Sequence, residues 1–456
     1  MSLLLNALSG AEAAQAALTT TSQNVANAAT PGYTREGVLL GSLQTTQGGG
    51  VQVLALQRFS DGYKNLQLWQ SNSVLGQAQA GQDYMTQLEQ VMSDDTSNVN
   101  QGVQQFFAAL NAASGQPDST PLRQQVLSSA TALSERMGTL QNLLGSQQSS
   151  INAQEQAVVQ QLNGLTGDIA LLNGKISAAR ATGADDSALQ DARDQKIDTL
   201  AGLVGLQVVD QPDGTKSISL PNGQPLVVGA NAGTLAINNQ QLTLSFSNAS
   251  FNVPTTNLSG QLGGLFNTQN QVLAPLVKQM QELATNIGNS VNTQLAAGYA
   301  PPATTPGQPL FTINNGQLQV TSLQASDLAF SSNTTDVGNS DNLTALIALQ
   351  QQPMTLTEFD SNGQPNGTAQ VVMGDVFNQL VGSLGTQSQQ NQASIATAQT
   401  VRDQAQQNWS SSAGVNNDEE ATNLVQYQQL YQANMKVAQV ANQCFDAALQ
   451  MLGTTS

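Results

Sequence analysis

The sequence predicts a mainly α protein with an inserted β domain. Paired terminal coiled-coil helices, an elongated helical domain and an antiparallel β domain are nested along the chain. Three observations predict it. Both ends carry apolar residues at alternating steps of three and four. A central stretch is made of short alternating runs parted by Asn-Gly and Asp-Gly turns. Most of what lies between has helical periodicity.

Residues 1–45 read as an N-terminal helix and an extended linker. Leu4, Ala7, Ala11, Ala14, Leu18, Thr21, Val25 and Ala28 form a narrow seam of the kind that faces a partner helix. The helix must stop at Asn27-Ala28-Ala29-Thr30-Pro31-Gly32-Tyr33, because Pro31 fixes φ and Gly32 accepts a positive φ in a tight turn.

Residues 46–204 form the first part of the helical domain. Gly48-Gly49-Gly50 and then Val51, Val53 and Leu54 read as linker and strand, and from about Tyr63 to Leu203 the pattern is helical. One helix is anchored by Phe106, Phe107 and Leu110, and another carries Leu140, Leu143 and Leu144. A third, Gln-rich helix starts near Ser150 and holds Ile169, Leu172 and Ile176. Breaks fall at Gly115–Asp118 and Thr182–Asp185.

Residues 205–262 are the β domain, with turns at Pro212-Asp213-Gly214 and Pro221-Asn222-Gly223. Helix returns over 263–300, where Leu276, Met280, Leu283, Ile287 and Val291 share a face. Residues 301–335 hold a Pro-rich loop and strand-like runs near Phe311 and Val320, expected to join the β domain. Residues 336–409 give the third helical part, around Asn342–Leu349 and again from Val371 to about Gln407.

Residues 410–456 are the C-terminal helix. Its seam is Leu424, Tyr427, Tyr431, Asn434, Ala438, Ala441, Phe445, Ala448 and Leu452. Asn417 is the expected N-cap, with Glu420 completing a capping-box-like pair. The helix would be about 50 Å long, and Asn434 within the seam would specify register. Cys444, on the flank of Leu430, Val437 and Met451, is expected to be a small buried apolar residue. Such seams serve an intramolecular helical hairpin or an assembly of several chains equally well.

Composition narrows the function. A net charge of −17 with only 13 scattered basic residues argues against a nucleic-acid partner. No run reaches the roughly 18 apolar residues of a membrane span, so membrane insertion is not expected, and Met1-Ser2-Leu3-Leu4-Leu5 lacks the basic start of a secretory signal. Charged residues are only 9%, which suits surfaces that pack against copies of themselves, although drift of composition would give the same figure.

The absence of histidine removes the commonest general base and metal ligand, and a single cysteine excludes internal disulfides and thiolate clusters. No phosphate-binding or dinucleotide motif is present. Three acidic runs, Asp94-Asp95, Asp185-Asp186 and Asp418-Glu419-Glu420, stand where helices begin or turns fall and read as caps. No catalytic, cofactor-binding or metal-binding residue is expected. A secreted acid-pair glycan hydrolase, using residues such as Asp94 and Glu420, is the alternative from a different class.

Ala7-Leu8-Ser9-Gly10, Thr21-Ser22-Gln23-Asn24-Val25-Ala26-Asn27 and Thr30-Pro31-Gly32-Tyr33 resemble the N-terminal signature of bacterial flagellar rod, hook and hook-associated axial proteins. Gly414–Ala421 with Tyr427-Gln428-Gln429 and Tyr431-Gln432-Ala433 narrow the resemblance to the hook-associated branch at the hook–filament junction. Gly48–Val51, Arg58 with Asp61, Phe106-Phe107, Arg193-Asp194, Asn222–Val227 and Val291-Asn292 agree in order along the chain. A hook or distal-rod subunit shares the N-terminal signature and is the near alternative.

The resemblance implies a structural subunit of the extracellular flagellum, secreted by type III export after a transient cytoplasmic stage. It implies polymerisation of the chain with itself through its terminal helices. The β domain would then face outward. Implied partners are hook protein, hook-associated protein 3 and a cytoplasmic export chaperone. Candidate assembly residues are Leu4, Ala11, Leu18, Asn24, Val25, Asn27, Pro31, Gly32 and Tyr33 at one end, and Asp418, Glu419, Glu420, Leu424, Tyr427, Tyr431, Phe445 and Leu452 at the other. Ala-rich seams bury little per residue against about 1–2 kcal/mol of backbone entropy each, so the ends are expected to be largely disordered until neighbours cover them.

Overall fold

The computed structural model describes residues 2–45, 48–94, 98–238, 240–360 and 362–453. Helix α1 (Ser2–Asn27) leads to an antiparallel hairpin, β1 (Glu36–Thr45) and β2 (Gly48–Arg58). Helices α2 (Gly62–Ala80), α3 (Gln82–Ser93), α4 (Val99–Ser114), α5 (Thr120–Thr182) and α6 (Ser187–Leu203) follow. Seven short strands come next: β3 (Gln207–Asp210), β4 (Lys216–Ser219), β5 (Pro225–Val228), β6 (Asn231–Ala232), β7 (Thr234–Asn238), β8 (Gln241–Phe246) and β9 (Ala249–Val253).

Helix α7 (Gly260–Asn267) continues through a π-helical turn, Thr268–Leu273, into α8 (Ala274–Ala296). Beyond it lie the hairpin β10 (Phe311–Asn314) and β11 (Gln317–Val320), helix α9 (Asp341–Ala348), and the hairpin β12 (Pro353–Phe359) and β13 (Pro365–Val372). Two long helices, α10 (Val376–Ala413) and α11 (Asn417–Gly453), end the chain.

The chain divides into two compact units, each assembled from separated segments. The first contains residues 1–75, 159–253 and 398–456, and the second contains 76–158 and 254–397. Mainly helical architecture with small antiparallel sheets in the middle and long helices at both ends is therefore the fold.

In the first unit, β3-β4-β5-β6 and β7-β8-β9 form two antiparallel sheets. Two asparagines of α5 hold them. Asn173 is fully buried; its amide donates to the Lys216 and Gly229 carbonyls, both at 2.9 Å, and accepts the Lys216 N–H at 3.1 Å. Asn163 grips both backbone groups of Leu235 at 2.8 Å. A side-chain amide so placed supplies the same donor and acceptor as a neighbouring strand, which satisfies backbone groups that burial would otherwise leave unpaired.

In the second unit, Phe106, Phe107 and Phe311 form an edge-to-face cluster with ring centroids 5.4 and 5.9 Å apart. Asn292 of α8 repeats the amide grip on Phe311, at 2.7 and 3.0 Å.

Several expectations are corrected. The two central helices predicted either side of Ser150 are one 63-residue helix, because no proline interrupts residues 122–211 and the glycines within the helix have only open space or small neighbours around them. Strands β1 and β2 pair across the expected boundary at 45/46. Residues 301–335 lie in the second unit rather than with the central β strands, since Phe311 packs on Phe106 and is gripped by Asn292. The third helical stretch contains the hairpin β12–β13, turned at Asn362-Gly363, where Gly363 has φ +72°.

Candidate assembly surface of the terminal helices

Helices α1 and α11 pack antiparallel: Gly10 faces Asn434, while Thr21 shares a cavity with Glu420 and Tyr427. The approach is close. A Cβ on Gly10 would lie 2.6 Å from Asn434 Oδ1, so the seam asparagine does sit at the crossing, with its Nδ2 donating to the Leu430 carbonyl at 3.0 Å.

On α1, Ala7, Ala11, Ala14 and Thr21 are buried and Leu18 is half-buried, whereas Leu4 and Val25 at the two ends are exposed. Ala13, Ala17 and Thr20 are buried as well, because the β1–β2 hairpin covers a second face of the helix. Along α11 the inner line runs through Glu420, Asn423, Tyr427, Tyr431, Asn434, Ala438 and Ala441. Leu424 stands at its margin and Phe445 is exposed. The Leu452 side chain lies outside the described residues.

The N-cap of α11 is one residue earlier than expected. Asn416 Oδ1 accepts the N–H groups of Asp418 and Glu419 at 3.0 and 3.4 Å. No capping box forms with Asn417, and Glu420 turns inward instead. Cys444 is exposed, contrary to expectation, because α1 occupies only one side of α11 and the flank of Leu430 and Val437 points away from it.

The turn after α1 is locked by hydrogen bonds. Thr30 N–H donates to the Asn27 carbonyl at 2.8 Å and Tyr33 N–H to the Thr30 carbonyl at 3.2 Å, around Pro31 and a Gly32 with φ +78°. Asn27 Oδ1 accepts the Thr30 hydroxyl at 3.2 Å. Asn24 is the hub. It is 1% exposed, donates to the Glu36 carbonyl at 2.8 Å, and accepts the Glu36 N–H at 3.0 Å and the Tyr33 phenol at 2.9 Å. Burial, then the neighbouring carboxylates Glu36, Asp191 and Glu420, push the Tyr33 pKa above its ordinary value, so the phenol stays a neutral donor.

Beside the turn, Arg58 binds Asp191 at 2.6 Å, Asp194 at 2.8 Å and the Thr34 hydroxyl at 3.0 Å, and Asp191 also accepts the Thr34 N–H at 3.0 Å. Burial alone would lower the Arg58 pKa, but the two carboxylates outweigh it and hold the guanidinium charged. Arg35 bridges the ends of the chain. Its N–H donates to the Ala413 carbonyl at 2.7 Å, its guanidinium pairs with Glu419, and it lies 4.5 Å from the Phe59 ring centroid.

Sequence reasoning singled out neither Arg35 nor Asp191. Arg58 and Asp194 were visible as separate landmarks, but 136 residues of intervening chain hide their pairing.

Large exposed apolar side chains gather on these elements. Leu3, Leu5 and Leu8 project from α1; Leu39, Leu40, Leu43, Val53 and Leu54 from the hairpin; Val425, Leu430, Met435, Val437, Val440, Phe445 and Leu449 from α11. Elsewhere among the described residues exposed large apolar groups are scattered, such as Val74, Leu171 and Val209. Large apolar side chains exposed together on packed elements mark a contact site.

The acidic runs have structural partners. Asp185 accepts the Ser187 N–H at 3.0 Å, and Asp186 pairs with Arg180 at 2.7 Å. Asp94 ends α3, and Asp95 lies outside the described residues. No cluster of three or more metal-ligating side chains occurs among the described residues, and none of the described helices is long and apolar enough to cross a membrane.

Comparison with known proteins matches three family models in order along the chain. Residues 4–34 match the flagella basal body rod protein model, 85–311 the helical domain of flagellar hook-associated protein FlgK, and 406–451 the C-terminal model of flagellar basal body rod FlgEFG proteins. Flagellar hook-associated protein 1 of Escherichia coli is 27% identical over 546 aligned positions, covering 99% of this chain and all of the relative. The namesake from Bacillus subtilis is 24% identical, covering 97% of this chain and 96% of the relative. The alignment to the Escherichia coli protein exceeds the 456 residues of the chain, so internal segments of that relative have no counterpart here.

Among solved structures, the flagellar hook junction protein FlgK from Burkholderia pseudomallei matches with TM-score 0.57 at 17% identity, covering 76% of this chain and 99% of that one, which establishes likeness of fold. With the terminal signatures, the helical domain and the order of parts all in agreement, the chain belongs to the flagellar hook-associated protein 1 family.

Proposed function

We infer that the chain is a structural subunit of the bacterial flagellum, polymerising through α1 and α11 to form the junction between hook and filament. The large apolar side chains exposed together on α1, the β1–β2 hairpin and α11 carry this reading, because the chain itself leaves them uncovered. An apolar side chain is worth roughly 1.5–3 kcal/mol on full burial, so the seven large outward residues of α11 offer several kcal/mol to a neighbour even though half-covered already. The mutual face of α1 and α11 sets Leu18, Tyr427 and Tyr431 among a row of alanines and is already covered in the single chain. Assembly is thus favoured over an isolated hairpin.

The Asn24 hub, the locked Pro31-Gly32 turn and the Arg35–Glu419 pair then act as a rigid coupling between the polymerising helices and the folded body of the first unit. Leu4, Val25, Leu424 and Phe445, exposed in the single chain, are the seam residues left for neighbours.

The same reading extends to how the subunit travels and what it meets. An apolar α11 needs cover before assembly, which a cytoplasmic chaperone would give until type III export delivers the chain to the extracellular flagellum. Hook protein and hook-associated protein 3 would be its neighbours on either side of the junction. Deleting the gene tests the reading: hooks should persist without filaments, and filament protein should accumulate in the medium. Loss of the hook itself would make the chain a hook or rod subunit, and unaltered filaments would end the proposal.

A further inference from the structure

The cavity joining α1, the start of β1 and the first turns of α11 brings two carboxylates, Glu36 and Glu420, beside a single guanidinium, Arg35. It encloses about 190 Å3 and is walled by Thr21, Arg35, Glu36, Glu420, Asn423 and Tyr427. Glu420 is 2% exposed, and among the described residues its carboxylate has no hydrogen-bond donor and no ion-pair partner. Arg35 does not neutralise it. That guanidinium is committed to Glu419 and to the face of Phe59, and its buried Nε has no acceptor. Glu36 adds a second carboxylate, pushed above its ordinary pKa by burial and then by Asp185. A carboxylate that faces a small cavity without an ion-pair partner is a ready acceptor for a cation brought by another chain.

The two terminal helices hold a single basic residue among five acids: Lys436, against Glu12, Asp418, Glu419, Glu420 and Asp446. Lys436 is exposed and has no ion pair among the described residues. It stands between Met435, Val437 and Val440 on the outward apolar face, so any copy that covers that face also receives its ammonium. Lys436 cannot reach the Glu420 of its own helix, since sixteen residues of α helix separate them by about 24 Å.

We propose that Lys436 of one copy enters the Glu36–Glu420 cavity of a neighbouring copy. The ion pair completes a buried site and, with parallel α11 helices, sets their stagger at about 24 Å. A flexible stem ending in a compact charge suits so narrow an opening. This deepens the self-assembly reading and rests on it.

The test uses full-length chains as the sole copy in the source bacterium. Glu420→Gln and Lys436→Gln should each cut attached filaments by about tenfold while the purified monomers keep native circular dichroism. The double reversal Glu420→Lys with Lys436→Glu should restore filaments that either single reversal abolishes. Independently, Glu420→Cys with Lys436→Cys in a Cys444→Ser background should give covalent multimers when isolated hooks are treated with a bis-maleimide whose reach matches an extended Lys–Glu side-chain pair. Within one chain the two thiols lie about 24 Å apart along α11, beyond that reach. Native filament attachment in both neutral variants, a double reversal no better than the singles, or only monomers from the cysteine pair overturns the proposal. Those outcomes leave self-assembly standing, which the gene deletion tests separately.

Discussion

Replacing Asn24 with alanine should uncouple α1 from the rest of the first unit. The amide makes three hydrogen bonds, at 2.8, 3.0 and 2.9 Å, to both backbone groups of Glu36 and to the Tyr33 phenol, at a site 1% exposed. Each is worth about 1 kcal/mol net, and each partner left buried without a bond costs a further fraction of its roughly 1–3 kcal/mol desolvation. A total near 3 kcal/mol is the order of magnitude, or about a hundredfold in a local opening equilibrium.

The loss is local, because the β3–β9 sheets are held by Asn163 and Asn173 independently. Hydrogen exchange by mass spectrometry reads it directly. Protection over Tyr33–Gly37 should fall by about a hundredfold in Asn24→Ala, with peptides of α5 and β4 unchanged. Swimming should fall with it. If exchange over Tyr33–Gly37 matches the native chain, the hub does not couple the helix to the body and the reasoning about Asn24 is wrong.

Other outcomes follow from single residues. Gly10→Ala should weaken the α1–α11 crossing by forcing Asn434 aside, and adding Asn434→Ala should more than restore it, because alanine gains about 1 kcal/mol of helix propensity over glycine; thermal melts of assembled hooks should rank the variants in that order. Burial raises the Glu155 carboxyl from 4.5 to about 7, so its contribution to stability is fully present below about pH 4.5 and is lost as pH rises to about 7, a change near 3 kcal/mol; urea unfolding at pH 5 and 8 should show the fall, and Glu155→Gln should abolish it. Limited proteolysis of the monomer should trim α1 and α11 first and leave a core; a terminal pair as resistant as α5 would contradict the expectation that neighbours order the ends.

Local chemistry made much of the chain legible. The 3-4 spacing of Ala7, Ala11, Ala14 and Tyr427, Tyr431, Asn434 located the inner faces of both terminal helices, since side chains three and four apart stack on one side of any helix. Pro31-Gly32 and Asn222-Gly223 announced their turns through φ alone. The hairpin β12–β13 was equally signalled, by Asn362-Gly363 beside the alternating Met354-Thr355-Leu356-Thr357, but it stands between two helical stretches and was passed over.

Residue pattern by itself determined the order of helix and strand along the chain and the seamed ends. The folded chain alone decided which polar groups meet: Arg58 with Asp191 and Asp194, Arg35 with Glu419, Asn24 with Glu36, and Glu420 with Asn423 and Tyr427 around one cavity. Helix and turn preferences arise within a few residues of backbone, whereas pairings across hundreds of residues depend on how whole elements pack, which no local spacing encodes.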